Sequence, residues 1–306
     1  MLRNPIMPPL AERDVFAPAA PGTMLLGLIG SGIAGSRSPA MHVAEAAAQG
    51  FAAEYRRIDL DVLGLGVEAL PQLLDHAQAA GYRGLNITYP AKQAVIPLLD
   101  ALSDEARALG AVNTVVFEAG RRMGHNTDAS GFAAGFRLQL PGAAMGQVVQ
   151  IGAGGAGAAV AHAVLSMGAG QLTIFDIDDT RAAGLAANLN AHFGPGRAVA
   201  GASLGPAIAA AHGLVHATPM GMAKHPGLPL PAALLRADLW VAEVVYVPID
   251  TALLQAARAQ GARVADGGGM AVYQAADAFR HFTGHEPDAA RMRQGFLAAI
   301  SHPGLT

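Results

Sequence analysis

Gly152-Ala153-Gly154-Gly155-Ala156-Gly157 interrupts the most apolar stretch of the chain, Val148 to Leu165, and its reading decides the fold. A stretch of that length and apolarity invites a membrane-spanning interpretation. The glycine cluster, with Gln150 and His162 inside the stretch, argues instead for a buried strand, a turn and a helix. The glycines fit G-x-G-x-x-G at Gly152, Gly154 and Gly157, and a second strand, Leu172 to Asp176, ends in an acid 24 residues after Gly152. That is the layout of a dinucleotide site. The turn, including Gly155 and Ala156, lets backbone approach a pyrophosphate at the helix N-terminus, and the acid holds the adenosine ribose. A carboxylate at Asp176 accepts both ribose hydroxyls of NAD and repels the 2'-phosphate of NADP. Asp178 and Asp179 add to the repulsion, whereas Arg181 works against it.

Outward from this turn, strands and helices alternate, the sign of an α/β protein with largely parallel sheets. Leu25 to Gly30, Glu54 to Leu60, Gly84 to Thr88 and Ala111 to Phe117 read as strands of a first half, the last turning at Ala119-Gly120. Leu214 to Thr218, Leu239 to Val245 and Arg263 to Ala265 continue the second half. The last helices, from about Met270 to Phe282 and from Pro287 to Ile300, have no strand after them and are expected to pack back on the first half. Residues 1–23 read as a disordered tail, too poor in apolar runs for a signal peptide or an anchor.

Composition excludes several classes. Of 306 residues, 52% are hydrophobic and 14% charged, which rules out a disordered chain. A net charge of -3 gives no footprint for nucleic acid or for an anionic membrane. Zero cysteines remove disulfides, thiolate chemistry and iron-sulfur clusters together. His281 and His285 are four apart, but Gly284 breaks the helix that would align them, so no metal is expected.

The basic residues are almost all arginine, and the only lysines are Lys92 and Lys224. Lys92 lies in Asn86-Ile87-Thr88-Tyr89-Pro90-Ala91-Lys92, at the end of a strand and in the first turn of the next helix. Ligands bind at the carboxyl ends of such strands, so Asn86, Thr88 and Lys92 are expected at a crevice. A helix N-terminus disfavours a nearby cation, whereas a carboxylate from Asp128, in Gly124-His125-Asn126-Thr127-Asp128, would favour the ammonium. A surface salt bridge for Lys92 and an Asx-turn at Asn126 and Asp128 remain the bland alternatives. Ser36-Arg37-Ser38-Pro39 reads either as a helix cap, with Ser38 at the N-cap and Pro39 at the first helical position, or as a neutral site for a small carboxylate. His42 is expected to pack behind this loop, and Met220 and Met222 either fill core or line a nicotinamide pocket.

Taken in order, S-R-S-P, N-I-T-Y-P-A-K, A-V-N-T, G-H-N-T-D, G-A-G-G-A-G, A-T-P-M-G-M and the late D-G-G-G-M-A-V-Y-Q resemble the shikimate dehydrogenase family. F-D-I-D after the second cofactor strand and the H-P-G loop at His225 to Gly227 are similar to its NAD-linked quinate/shikimate branch. The resemblance implies a substrate-binding domain over residues 24–125 completed by helices in 270–306, a Rossmann-type NAD-binding domain over 126–269, and an active site in the cleft between them. It implies Lys92 and Asp128 as the catalytic pair. Ser36, Ser38 and Tyr246 match the family's carboxylate site, and Asn86, Thr88, Asn113 and Gln274 the groups around the ring hydroxyls. Thr218, Met220 and Gly269 join the glycine turn, Asp176 and Arg181 around the dinucleotide. Gly268 departs from the family, whose members often carry threonine there, and is expected to loosen the loop before Met270.

The expected protein is a cytoplasmic, NAD-dependent dehydrogenase of shikimate and, more weakly, quinate, acting as a monomer or homodimer with small-molecule partners only. Two alternatives stay open: a dehydrogenase of an aminated shikimate analogue, and a non-catalytic relative that senses NAD or shikimate.

Overall fold

The computed structural model describes residues 14–301. The described residues form two compact units, one from 14–126 together with 278–295, the other from 127–277 and 296–301.

The first unit holds a six-stranded sheet of β1 (Met24–Gly30), β2 (Ala53–Asp59), β3 (Tyr82–Ile87), β4 (Ala101–Leu102), β5 (Thr114–Glu118) and β6 (Arg121–His125). Its order is β2-β1-β3-β5-β6-β4, and β1 pairs in parallel with both β2 and β3. Burial of β1 on both faces explains its near-continuous apolar run, in which Leu25, Leu26 and Ile29 are at most 2% exposed. β5 and β6 form an antiparallel hairpin whose turn takes positive φ at Ala119 and Gly120.

Residues 14–22 are not a disordered tail. Asp14–Phe16 forms a 3-10 turn, Phe16 is buried with its ring 5.5 Å from His76, and the Tyr82 hydroxyl donates to the Val15 carbonyl at 2.5 Å. An aromatic side chain inside a proline-rich segment is enough to tie it down. Residues 1–13 of the expected tail lie outside the described residues.

A buried carboxylate, Glu45, helps to hold residues 278–295 in the first unit. Glu45 accepts two hydrogen bonds from the Arg291 guanidinium, one from the Asp288 amide and one from Gln49. Burial pushes the Glu45 carboxyl up, but these donors outweigh it and hold it below the usual range. The Phe282 ring fills the space over Gly84, where a Cβ would stand 2.3 Å from it.

The second unit is an all-parallel sheet of β7 (Gln147–Ile151), β8 (Gln171–Phe175), β9 (Ala198–Ala200), β10 (Gly213–His216), β11 (Trp240–Glu243) and β12 (Val264–Ala265). The order β12-β11-β10-β7-β8-β9 is the doubly wound arrangement expected from the glycine turn. β9, only three residues long, escapes sequence reading, as does the helix Asp128–Gln139. The long helix Gly268–Thr283 runs from one unit into the other. Its first part, through residue 277, belongs to the second unit rather than the first, contrary to the boundary expected at 270. Gly131 and Gly135 on the helix Asp128–Gln139 cause this: Cβ atoms there would stand 2.5 Å from the Gln274 amide nitrogen and 2.7 Å from the Gly269 carbonyl carbon. Among the described residues no helix is long and apolar enough to cross a membrane, and Val148 to Leu165 divides into β7, the glycine turn and the helix Gly155–Ser166.

Candidate active site

In each sheet the strand order reverses beside the first strand, and the loops leaving the carboxyl ends on either side of that point open a crevice. In the first unit those loops follow β1 and β3. They are tied by the Ser31 amide donating to the Tyr89 carbonyl and the Thr88 amide donating to the Ile29 carbonyl, both at 2.9 Å. Asp59 at the end of β2 accepts from the amides of Gly32, Ile33 and Asp61, and so holds the start of the serine loop. Ser38 is the first residue of the helix Ser38–Ala48 and Arg37 is the N-cap. The expected N-cap role of Ser38 is therefore shifted by one position, and the Ser38 amide instead donates to Ser36 Oγ at 3.4 Å. Both serines are half-buried.

Asn86 is buried and fully oriented. Its Oδ1 accepts from the Tyr55 hydroxyl at 2.8 Å, and its Nδ2 donates to Thr114 Oγ1 at 3.1 Å and to the Asn113 carbonyl at 3.3 Å. Thr114 in turn donates to Asn113 Oδ1 at 2.9 Å. Tyr55 and Thr114 were not singled out in the sequence, since nothing local marks a strand tyrosine or threonine as a support for an amide about 30 residues away. Burial pushes the Tyr55 phenol up, with Arg57 opposing, which keeps it a hydrogen-bond donor. Lys92 is half-buried in the short helix Ala91–Ala94, and its carbonyl accepts from the Val112 amide at 2.8 Å. The first unit thus gathers Ser36, Ser38, Asn86, Thr88, Lys92 and Asn113 around one sheet edge.

His42 behind the serine loop is fully buried, stacked 5.1 Å from Tyr55, and neither ring nitrogen has a hydrogen-bond partner. Burial pushes its imidazole down to about 3. His281 does not face His285: it stacks on His125 at 4.0 Å, while His285 lies against Phe51.

The second crevice is built largely from backbone. Gly152 takes φ +108°, and a Cβ there would lie 2.5 Å from the Ala217 carbonyl oxygen. At Gly157 a Cβ would lie 2.3 Å from the Gly152 oxygen, so both glycines are required for close packing. Gly154 and Gly155 instead open onto empty space, at the N-terminus of the 12-residue helix Gly155–Ser166, which has no side-chain cap. Open glycines beside uncapped amides fit a pyrophosphate. Gln150, fully buried, donates from Nε2 to the carbonyls of Gly152 and Gly157 at 2.8 Å each and clamps the turn. Asp176 follows β8 and accepts from the Ala153 amide at 2.7 Å and the Asp178 amide at 3.0 Å. Arg181 is exposed, with Nε 3.5 Å from Asp178 Oδ2.

Thr218 follows β10, its methyl 2.8 Å from where a Gly152 Cβ would stand, and Met220 is 37% exposed, so it is not core filling. Asp128, 6% exposed, opens the helix Asp128–Gln139 in the second unit, whereas Lys92 belongs to the first. Tyr246 is half-buried with its ring 5.6 Å from Phe296. Gln274 accepts the Thr127 hydroxyl on its carbonyl at 2.9 Å, and its side chain donates to the Ala271 carbonyl at 3.2 Å. Gly269 packs against Gly135 and Gln139. Gly268 is buried at the helix start, where a Cβ would meet Ile249 at 2.8 Å and Phe296 at 2.9 Å, so glycine there tightens the packing rather than loosening it.

Two family models match the chain, the shikimate dehydrogenase substrate binding domain over residues 28–115 and the shikimate 5'-dehydrogenase C-terminal domain over 267–294. A shikimate dehydrogenase (NADP(+)) of Streptomyces avermitilis is 60% identical over 270 residues, 88% of this chain and 93% of that protein. The chain belongs to the shikimate dehydrogenase family. A quinate/shikimate dehydrogenase (NAD(+)) of Corynebacterium efficiens is 53% identical over 90% of this chain and 98% of its own. The quinate dehydrogenase of Corynebacterium glutamicum, solved in complex with NAD, superposes with a TM-score of 0.87 at 51% identity, covering 90% of this chain and 99% of that one. The protein is thus an oxidoreductase of this family, with a nicotinamide dinucleotide as its cofactor.

Proposed function

We propose that this shikimate dehydrogenase family member reversibly oxidises shikimate, and quinate more weakly, to the 3-dehydro ketone, with NAD as the preferred dinucleotide. The observation that carries the cofactor choice is Asp176, placed beyond β8 with its carboxylate held by two backbone amides. A second carboxylate, Asp178, stands beside it, and the nearby Arg181 is drawn toward Asp178. A 2'-phosphate would meet two acids and a partly neutralised arginine. The Streptomyces relative bears an NADP(+) name and the two Corynebacterium relatives are NAD-linked, so kinship alone supports either choice.

Lys92 takes the proton of the substrate hydroxyl, with Asp128 as the second member of the acid/base pair. The dinucleotide, when bound, accepts a hydride from the carbon that bears this hydroxyl. Ser36, Ser38 and Tyr246 hold the carboxylate. Asn86, Thr88, Asn113 and Gln274 read the ring hydroxyls, and the locked Tyr55–Asn86–Thr114 chain supports a preorganised amide that loses little entropy on binding. Gly152, Gly154, Gly155, Ala156 and Gly157 cradle the pyrophosphate, with Thr218, Met220 and Gly269 toward the nicotinamide.

Initial rates with shikimate and quinate, each against NAD and NADP, test the reading. Shikimate with NAD should give the highest kcat/KM. Better use of NADP would overturn the Asp176 argument, and quinate efficiency equal to or above that of shikimate would overturn the substrate order.

A further inference from the structure

Beneath the loop that carries Thr218 and Met220 lies a polar chain that the proposed reaction does not use. His216 at the end of β10 and Glu243 at the end of β11 are both fully buried as side chains, with His216 Nδ1 2.9 Å from Glu243 Oε1. The same carboxylate oxygen accepts from the amides of Val244 at 2.9 Å and Val245 at 3.0 Å, and Oε2 accepts from the Thr251 hydroxyl at 3.1 Å. Two backbone amides and the Thr251 hydroxyl donate to Glu243, so we assign it as the acceptor toward His216, which places a proton on Nδ1. The other ring nitrogen, Nε2, is 2.5 Å from the Thr218 hydroxyl, whose oxygen accepts from the Met220 amide at 3.2 Å. A buried acid and imidazole cost desolvation that an apolar pair would avoid, which is a poor bargain for packing alone.

Topology says which end of the ligand this chain meets. The adenosine side of the crevice is marked by Asp176 after β8, and the pyrophosphate by the open glycines after β7. β10 flanks β7 on the opposite side, and Thr218 abuts Gly152 there. The remaining end of the dinucleotide runs over Thr218 and Met220.

We propose that His216 is a positioning residue for the nicotinamide end of the cofactor site: held by Glu243, its imidazole fixes the Thr218 hydroxyl and, through it, the Met220 amide. This rests on reading the crevice as a dinucleotide site. The test is calorimetric titration of the full chain with NADH and with ADP-ribose, which lacks the nicotinamide. Thr218→Val and His216→Leu should each weaken NADH by about tenfold, the scale of a buried polar group left unpaired. ADP-ribose should stay within about twofold, because the glycine turn and Asp176 are untouched. Thr218→Ser should recover most of the loss seen in T218V. If H216L does not fold, T218V carries the test, since it removes one hydroxyl at a half-exposed position. Parallel weakening of both ligands, or unchanged NADH binding in T218V, overturns the proposal. The reaction fails separately: an unaltered chain that binds NADH but turns over neither acid refutes the proposed activity, while a selective NADH loss in the variants still upholds the positioning role.

Discussion

The two crevices use the same strand reversal and fill it with different chemistry. In the first unit the edge is lined by side chains, and their orientation comes from other side chains, as with Tyr55 and Thr114 on Asn86. In the second the edge is lined by backbone, and its shape comes from missing Cβ atoms at Gly152 and Gly157 and from Gln150 gripping two carbonyls. A ring with several hydroxyls is recognised by individually placed donors and acceptors, whereas a pyrophosphate needs amides that any residue supplies once the chain comes close enough. Change at the Asn86 side-chain cluster should therefore alter chemistry and substrate choice, and change at the glycine turn and Asp176 should alter the cofactor alone.

The sharpest break of that division is Lys92→Arg, which keeps the charge but cannot give up a proton near neutrality. Turnover should fall at least ~100-fold, the loss expected on removing a general acid-base group, while NADH affinity stays unaltered. Near wild-type kcat would remove Lys92 from the proton path.

His42 tests whether the first unit carries its own pH sensitivity. Its ring is neutral in the folded protein down to about 3, whereas an unfolded histidine titrates near 6.5. Between these values the unfolded chain binds more protons, so this contribution is complete above about 6.5 and is lost as pH falls toward 3. At pH 5 the cost relative to pH 7 should be about 2 kcal/mol. Denaturant unfolding of His42→Leu at both pH values should show that much less acid sensitivity, and an identical pH difference in both proteins would refute the assignment.

Asp176→Ser probes the second unit alone. The NAD over NADP preference should narrow about tenfold, mostly in the dinucleotide KM, with the shikimate KM constant. A shift in shikimate KM of similar size would show that the two crevices are not independent. The smallest effect is expected for Ser38→Thr, which adds one methyl beside the proposed carboxylate site and should move the shikimate to quinate ratio toward quinate by ~1 kcal/mol. In the resembling family threonine at this position often accompanies quinate use, so an unchanged ratio in competitive assays would detach Ser38 from that choice.

How far the sequence could be read follows the same division. The glycine turn, β7, β8 and Asp176 were legible because their signals are contiguous or regularly spaced. Lys92 stood out by its rarity among basic residues. Asp59, Tyr55, Thr114, Gln150 and the His216–Glu243 pair were not legible, because each acts on a partner brought near only by the sheet register, as β10 pairing with β11 brings His216 opposite Glu243. The expected Ser38 cap missed by one residue because the helix starts at Ser38 from an Arg37 N-cap that makes no side-chain cap, so no hydroxyl marks the start. The ordered stretch at residues 14–22 was missed because prolines and mixed charge outweighed the one informative residue, Phe16.

The placement of residues 278–295 in the first unit has a consequence for the order of events on the ribosome. The sheet of that unit is complete at His125, yet Phe282, which fills the space over Gly84, and Arg291, which neutralises buried Glu45, are synthesised more than 150 residues later. At roughly 5–20 residues per second the nascent unit waits on the order of ten to thirty seconds for its own last pieces, with an apolar surface open to chaperones and an acid lacking its counterion. The half of the protein that is made first is therefore bound to be finished late, and a stalled or truncated chain ending before residue 278 leaves that half exposed to degradation however sound its sheet.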